Sequence, residues 1–198
     1  DLSVKENLEF LIFHSFSKLL ELKLKDLYRF DEKCVKKLSL PINRKIWVIY
    51  KKVLRVADHQ LFQHLEILKF EPMVFLIRWL RLLYLREYPF EDSMKLWDYI
   101  FCHFDFKKQT KLNQETIEVD IVDIISAAML IHMKQAILEV DNDFKLIELL
   151  QNFPETPFED ISPIADSIIS NLIRSNQQYR TLYGPTNSKA YFETFDHS

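Results

Sequence analysis

The side chains that could do acid–base, nucleophilic or metal chemistry are scattered along the sequence. His59 and His64 are five residues apart, so a helix would not hold them on one face as ligands of a metal ion. Cys102 and His103 are adjacent, but no partner stands at the spacing of a zinc site. The sequence therefore predicts no catalytic residue, no metal site and no cofactor.

The composition excludes further classes of site and partner. The chain has 198 residues and one glycine, Gly184, which excludes glycine-rich phosphate loops and dinucleotide-binding fingerprints. A net charge of −3 gives no general attraction to nucleic acid. No apolar run approaches the ~18 residues that a transmembrane segment needs. We expect Cys34 and Cys102 to be free thiols in a reducing compartment.

The elements that must position these side chains are predicted to be helices. Apolar residues recur every three or four positions, and no alternating segment is bounded by hairpin dipeptides. With 48% hydrophobic residues the chain can bury a core, so we predict an all-α, multi-helix array. The predicted helices span residues 7–27, 44–57, 58–68, 72–83, 90–101, 120–140, 144–151 and 162–175, with a surface loop at 105–118.

Three of these helices carry more specific expectations. The helix over residues 120–140 is apolar most of the way round, which is typical of the centre of a bundle. The helix over residues 7–27 has apolar residues outside its main stripe and is predicted to be buried on two sides. Ser162 and Pro163 match an N-cap followed by proline at the first helical position.

Two tryptophans mark the stretch from Leu61 to Phe101. Pro72 is expected to open one helix, in which Trp79 lies on an apolar stripe. Pro89 ends that pattern, and a further stripe follows, formed by Phe90, Met94, Trp97 and Phe101. Both stripes, with their tryptophans, are predicted to pack in the core rather than to form a binding site.

The same stretch resembles a family signature. The matching residues are His64, Leu65, Pro72, Arg78, Trp79, Leu82, Leu83, Arg86, Glu87, Tyr88, Pro89, Leu96, Trp97 and Asp98. Their order resembles the last signature block of the TBC domain, found in GTPase-activating proteins for Rab-type small GTPases. The resemblance covers roughly residues 8–173 and the C-terminal half of that domain. It implies such a half at residues 1–175, with mainly structural roles for Pro72, Trp79, Arg86, Glu87, Pro89, Trp97 and Asp98. Residues 176–198 are polar with scattered tyrosine and phenylalanine, and their composition predicts a partly ordered tail.

The resemblance also implies an activity whose residues this sequence lacks. TBC proteins are understood to supply an arginine and a glutamine to a slow GTPase, from Ile-x-x-Asp-x-x-Arg and Tyr-x-Gln motifs N-terminal to the block. The sequence contains no Tyr-x-Gln, and its nearest match to the arginine motif, Asp26 to Arg29, lacks the isoleucine. We therefore expect Asp26 and Arg29 to form a solvated ion pair at a helix end.

Basic residues near the signature block are the candidates for direct contact with a GTPase. They are Arg78, Arg81, Arg86 and Lys95. The alternative is that they are solvated surface charges. Asp98 is expected to accept a hydrogen bond or an ion pair from Arg78, Arg81 or Arg86 and so to orient the helices.

These expectations lead to one function and one alternative. We favour a role for this chain as part of a GTPase-activating protein for a Rab-type GTPase in vesicle traffic. That protein is expected to be cytoplasmic and to lie peripherally on endomembranes through the GTPase. The chain is expected to be inactive on its own. The chain starts at Asp1 rather than methionine, which suggests a piece that packs on the N-terminal half of the domain or self-associates through the face left exposed. The alternative is a non-catalytic TBC-like adaptor that binds a GTPase or another trafficking protein. An unrelated helical enzyme is disfavoured.

Overall fold

The computed structural model describes residues 2–28, 40–103 and 119–183, and every regular element in these ranges is helical, as predicted. The α-helices are α1 (Leu2–Leu19), α2 (Pro41–Trp47), α3 (Arg55–Ala57), α4 (His59–Ile67), α5 (Met73–Arg81), α6 (Phe90–Cys102), α7 (Ile121–His132), α8 (Lys134–Leu138), α9 (Asp143–Gln151) and α10 (Phe158–Tyr183). Other helical turns follow α1, at Leu20–Leu24 and Lys25–Tyr28, and α2, at Val48–Leu54. None of the described helices is both long and apolar enough to span a bilayer.

The helix α7 lies at the centre of the core. Every residue from Ile121 to Leu130 is buried, including the polar Asp123 and Ser126. The helix packs against α10 and against the turn Val48–Leu54. This confirms the predicted central helix, although Met133 divides the predicted segment into α7 and α8.

The helix α1 differs from its prediction. The sequence predicts burial on two sides. Leu19 packs against the core, and Leu24 and Leu27, beyond the end of α1, are buried. The large apolar side chains over residues 8–16, by contrast, are each at least 54% exposed. They are Leu8, Phe10, Leu11, Ile12, Phe13 and Phe16. Among the described residues, α1 packs chiefly on the turn Leu20–Leu24 that follows it. Its apolar surface is therefore left uncovered by the described part of the chain.

The helix α6 turns a different face to the core from the one predicted. Its buried side chains are Ser93, Leu96 and Ile100. The predicted core stripe points outwards, with exposed fractions of 79% for Phe90, 52% for Met94 and 49% for Phe101. Both sets of residues recur at helical spacing, so periodicity alone could not decide which set faces the core. The predicted burial of this stripe is wrong for these three residues.

The helix α10 begins earlier than the sequence predicts and contains Pro163. The backbone N–H of Phe158 donates to the Asp92 carboxylate at 3.2 Å, so a side chain of α6 caps α10. Pro163 removes one backbone hydrogen bond near this end of the helix. The helix continues to Tyr183, into the segment predicted as a tail, while the remaining tail and the predicted loop at 105–118 lie outside the described residues.

Candidate functional site

An ion pair between α5 and the segment after it organises the signature block. Arg78 Nε donates to Glu87 Oε1 at 2.8 Å, and Arg78 Nη2 donates to Glu87 Oε2 at 2.9 Å. Nη2 also donates to the backbone carbonyl of Gln151, at the end of α9, at 2.9 Å. Burial raises the pKa of the Glu87 carboxyl, and the Arg78 guanidinium offsets part of that rise. The pair therefore links α5, the following turn and α9.

The carboxylate that Arg78 binds is Glu87, not Asp98 as the sequence suggested. Asp98 is exposed on α6 and, within the described ranges, makes no ion pair with Arg78, Arg81 or Arg86. Its place on the outward side of α6 explains the difference. The predicted role of Asp98 in orienting helices through an arginine is therefore wrong.

Two non-glycine residues with positive φ form the turn after α5. They are Leu83 (φ 44°) and Tyr84 (φ 64°). The Tyr84 N–H donates to the Trp79 carbonyl at 3.0 Å, as in a Schellman motif. Such backbone conformations cost on the order of 1 kcal/mol each for non-glycine residues. Burial of Tyr84 holds the turn, because its hydroxyl donates to the Val122 carbonyl at 2.7 Å and lies 2.8 Å from Ser126 Oγ.

The two tryptophans occupy different environments. Trp79 is fully buried and its ring contacts Phe75 and Phe153 edge to face, as the sequence predicts for a core residue. Trp97 is half-buried, and its Nε1 donates to the Leu83 carbonyl at 3.2 Å. Through this hydrogen bond Trp97 connects α6 to the turn after α5. The rest of its indole ring is partly exposed on the outward face of α6.

The two signature prolines stand immediately before helices. Pro72 (φ −65°) precedes the first residue of α5, and Pro89 (φ −56°) precedes the first residue of α6. Proline suits these positions because its fixed φ is compatible with a helix start and no intrahelical partner exists there for an N–H. Both prolines therefore help to set where α5 and α6 begin.

Two of the basic candidates are occupied by internal partners. Arg78 is held by Glu87, as described above, and Lys95 Nζ lies 2.6 Å from Glu159 Oε1 and 3.4 Å from Asp92 Oδ1. The Lys95 contacts join α6 to α10. Arg86, by contrast, is exposed and makes no ion pair within the part of the chain that the structure describes.

Arg81 lies at the wall of an open groove between α5 and the turn Lys25–Tyr28. The groove has a volume of about 560 Å³ and is lined by Tyr28, Glu71, Met73, Val74, Ile77, Arg78, Arg81 and Leu82. Arg81 Nε donates to the Leu27 carbonyl at 3.3 Å, and its guanidinium lies 5.4 Å from the centre of the Tyr28 ring. The Tyr28 hydroxyl donates to the Arg81 carbonyl at 2.8 Å. The groove therefore combines an apolar floor with two arginines and one glutamate, and Arg81 is held in place at its wall.

A second charged cluster, which the sequence reasoning missed, holds the start of α7. Lys45 Nζ lies 2.9 Å from Asp120 Oδ2 and 2.8 Å from Asp123 Oδ1. The two aspartates also form a capping box, in which Asp123 Oδ2 accepts the Asp120 N–H at 2.8 Å. Burial, together with the neighbouring Asp120, raises the pKa of Asp123 to about 6 despite Lys45. The available signal was the Asp-x-x-Asp spacing immediately before an apolar run.

The other residues considered for chemistry make structural contacts or lie elsewhere. His64 Nε2 lies 3.1 Å from the Val140 carbonyl, and Cys102 is an exposed free thiol. Across residues 2–28, 40–103 and 119–183, no group of three histidine, cysteine or acidic side chains is arranged to hold a metal ion. Arg29 and Cys34 lie outside the described residues, so the structure does not describe the predicted Asp26–Arg29 pair.

Comparisons with known proteins agree with this architecture. The chain is 29% identical over 113 residues to TBC1 domain family member 5 homolog B of Dictyostelium discoideum, which covers 57% of the chain and 10% of that relative. It is 28% identical over 116 residues to TBC1 domain family member 5 of Mus musculus and of Homo sapiens, which covers 59% of the chain and 13% of each relative. The chain thus spans about a tenth of the length of these curated relatives. No solved structure matches it significantly.

A family comparison covers the signature block itself. The family model described as the Rab-GTPase-TBC domain matches residues 2–138, which extend from α1 to the end of α8. The match includes the Arg78–Glu87 pair, both signature prolines and both tryptophans described above. The chain belongs to the Rab-GTPase-TBC domain family.

Proposed function

We propose that this chain is the C-terminal part of a GTPase-activating domain that acts on a Rab-type small GTPase in vesicle traffic. The observation that carries the proposal is the match of residues 2–138 to the Rab-GTPase-TBC family, because it includes the whole signature block. The domain would meet its GTPase on the cytoplasmic face of an endomembrane, and the GTPase would supply the membrane attachment.

The exposed helix α1 supports the idea that another part of the same domain packs on this chain. A helix that is apolar on several sides is normally buried. Burying a large apolar side chain contributes roughly 1.5–3 kcal/mol, and α1 exposes six of them. The N-terminal part of the domain is the proposed cover. Self-association of the chain through α1 is the outcome expected when that part is absent.

The chain is proposed to lack the groups that accelerate hydrolysis. A GTPase-activating protein supplies charge to the transition state and helps to hold the attacking water. The arginine and glutamine motifs understood to do this in TBC proteins do not occur in the 198 residues. The role proposed for this chain is to complete the fold and to provide part of the surface that faces the GTPase.

Arg81 and Arg86 are the basic residues proposed to contact the GTPase. The other two candidates, Arg78 and Lys95, form ion pairs with carboxylates of this chain, so their charges are less available to a partner. Arg86 is exposed, and Arg81 lies beside the apolar groove. A charge contact at the rim of an interface mainly affects the rate of association and its dependence on salt.

Binding to Rab GTPases loaded with a GTP analogue or with GDP tests this proposal. The chain should be joined to the N-terminal part of the domain for the measurement, which surface plasmon resonance can make. We expect tighter binding to the GTP-analogue form, and slower association when Arg86→Glu is introduced. Arg174→Glu, a charge reversal at an exposed residue of α10, is the matched control and should change neither quantity.

The alternative function is a TBC-like adaptor without GTPase-activating activity. It is favoured by one observation, the lack of both catalytic motifs in this sequence. An adaptor need not distinguish the two nucleotide states of a GTPase. Equal affinity for the GTP-analogue and GDP forms would therefore support the adaptor and contradict the activating domain.

A further inference from the structure

The outward face of α6 carries an apolar stripe that the proposed function does not use. Its members are Phe90, Met94, Trp97 and Phe101, three of them at least 49% exposed and Trp97 half-buried. At ~1.5 Å of rise per residue the stripe is about 16 Å long, or three helical turns. Single exposed apolar side chains are ordinary, but a contiguous exposed patch marks an interaction site.

The stripe has a fixed shape before any partner arrives. The Trp97 indole is held by its hydrogen bond to the Leu83 carbonyl at 3.2 Å. The Phe101 ring contacts it edge to face, with ring centres 6.2 Å apart. A rigid aromatic surface loses little conformational entropy when a partner binds, so it can contribute more of its contact energy to affinity.

One side of the stripe is acidic. At ~100° per residue, Glu91 and Asp98 lie roughly 70–90° from the centre of the stripe. Both are exposed, and neither makes an ion pair with another described residue. Lys95 lies farther round the helix and is held by Glu159. On the other side of the stripe lies Ile100, which is buried in the core.

We propose that this surface docks an amphipathic helix of another protein, one that carries bulky apolar residues along one face and lysine or arginine along the adjoining flank. The apolar stripe supplies the contact area, as in other complexes in which a helix lies on an apolar surface. The Glu91 and Asp98 carboxylates select a basic flank by charge complementarity. A second copy of this chain would bring the same acidic edge, so charge disfavours it as the occupant.

Two synthetic amphipathic helical peptides of equal length test the proposal. They share one apolar face and differ only in the flank, which is lysine in one peptide and glutamate in the other. We expect the lysine peptide to bind this chain at least ~tenfold tighter at low salt, with a smaller difference at high salt. Isothermal titration calorimetry gives both affinities. Equal binding of the two peptides would overturn the proposal.

Variants of exposed residues locate the binding surface. Phe90→Ser with Met94→Ser should abolish binding of the lysine peptide, while Ile67→Ser, at a 78% exposed residue of α4, should leave it unchanged. Glu91→Lys with Asp98→Lys should reverse the preference between the two peptides. Circular dichroism checks that each variant keeps its helix content. Retention of binding by the Phe90→Ser, Met94→Ser variant would overturn the proposal.

Two further outcomes would assign the stripe to a different occupant. Concentration-dependent dimerisation, seen by analytical ultracentrifugation and lost in the Phe90→Ser, Met94→Ser variant, would mean that a second copy covers it. Loss of peptide binding when the N-terminal part of the domain is joined to the chain would mean that this part covers it. Either result overturns the proposal and leaves the proposed GTPase function untouched.

Discussion

Arg78 and Glu87 are joined by two hydrogen bonds, of 2.8 and 2.9 Å, across the turn that ends α5. The same guanidinium binds the Gln151 carbonyl at 2.9 Å, so one side chain fixes α5, its turn and the end of α9. The Glu87 side chain is 3% exposed, which means that its charge depends on Arg78 for compensation. The pair explains why the signature block contains both an arginine and a glutamate.

Replacing Arg78 should destabilise the fold more than replacing its partner. Arg78→Leu leaves a buried carboxylate uncompensated and should lower the free energy of unfolding by about 3 kcal/mol. Glu87→Gln keeps one acceptor for Arg78, whose side chain is 26% exposed, and should cost about 1–2 kcal/mol. Urea unfolding followed by circular dichroism measures both. Arg86→Leu, at an exposed site, is the control and should stay within about 0.5 kcal/mol of the parent; equal effects of Arg78→Leu and Arg86→Leu would contradict this account.

The Lys45–Asp120–Asp123 cluster should make stability depend on pH. The pKa of Asp123 is raised to about 6 in the folded state, above its value in an unfolded chain. The folded state therefore binds this proton more tightly, and the stabilisation it provides is lost as the pH rises from about 4 through about 6. We expect Asp123 to contribute a decline on the order of 2 kcal/mol over that range.

Asp123→Asn isolates this contribution. The amide keeps an oxygen that can accept the Asp120 N–H but cannot ionise, so the fall in stability between about pH 4 and pH 7 should be smaller than in the parent. Urea unfolding at several pH values provides the comparison. Identical pH profiles for the parent and the variant would show that Asp123 does not titrate in this way.

A glycine at position 69 should stabilise the chain. Lys69 is exposed, has φ of 52° and closes α4, where the Phe70 N–H donates to the Leu65 carbonyl at 3.2 Å. Glycine adopts this backbone conformation without the steric cost of a Cβ atom, so Lys69→Gly should gain about 0.5–1 kcal/mol. Lys69→Ala keeps the Cβ atom and should show no gain. A less stable Lys69→Gly variant in the same thermal unfolding experiment would refute the strain argument.

The exposed side chains of α1 should matter to association rather than to the stability of this chain. Phe10 and Phe13 are 67% and 71% exposed, so Phe10→Ser with Phe13→Ser should leave urea unfolding of the isolated chain nearly unchanged. The same variant should bind the N-terminal part of the domain more weakly, because it removes apolar area from the proposed interface. Binding can be followed by analytical ultracentrifugation. Unaltered association would place the interface elsewhere.

The sequence predicts the helical elements well because apolar residues recur so regularly along it. It identifies α7 as central, since α7 is apolar most of the way round, and it identifies Trp79 as a core residue. It fails on α6, where Phe90 and Leu96 belong to two different apolar stripes, and only the three-dimensional packing decides which stripe is buried.

The charged contacts were harder to predict because they depend on turns and on distant elements. The Arg78–Glu87 pair crosses a turn formed by Leu83 and Tyr84, two residues whose types do not indicate positive φ. The Lys45–Asp123 contact joins residues 78 positions apart in the sequence, and no local sequence pattern predicts it.

Single-turnover GTP hydrolysis by a panel of Rab GTPases tests the central claim most directly. The rate should be measured for each GTPase alone, with this chain, and with the chain joined to the N-terminal part of its domain. We predict no acceleration by the chain alone and marked acceleration by the joined domain, on the order of 10³-fold or more if an arginine is supplied in trans. Acceleration by the 198-residue chain alone would contradict the account, and no acceleration by the joined domain would favour the adaptor.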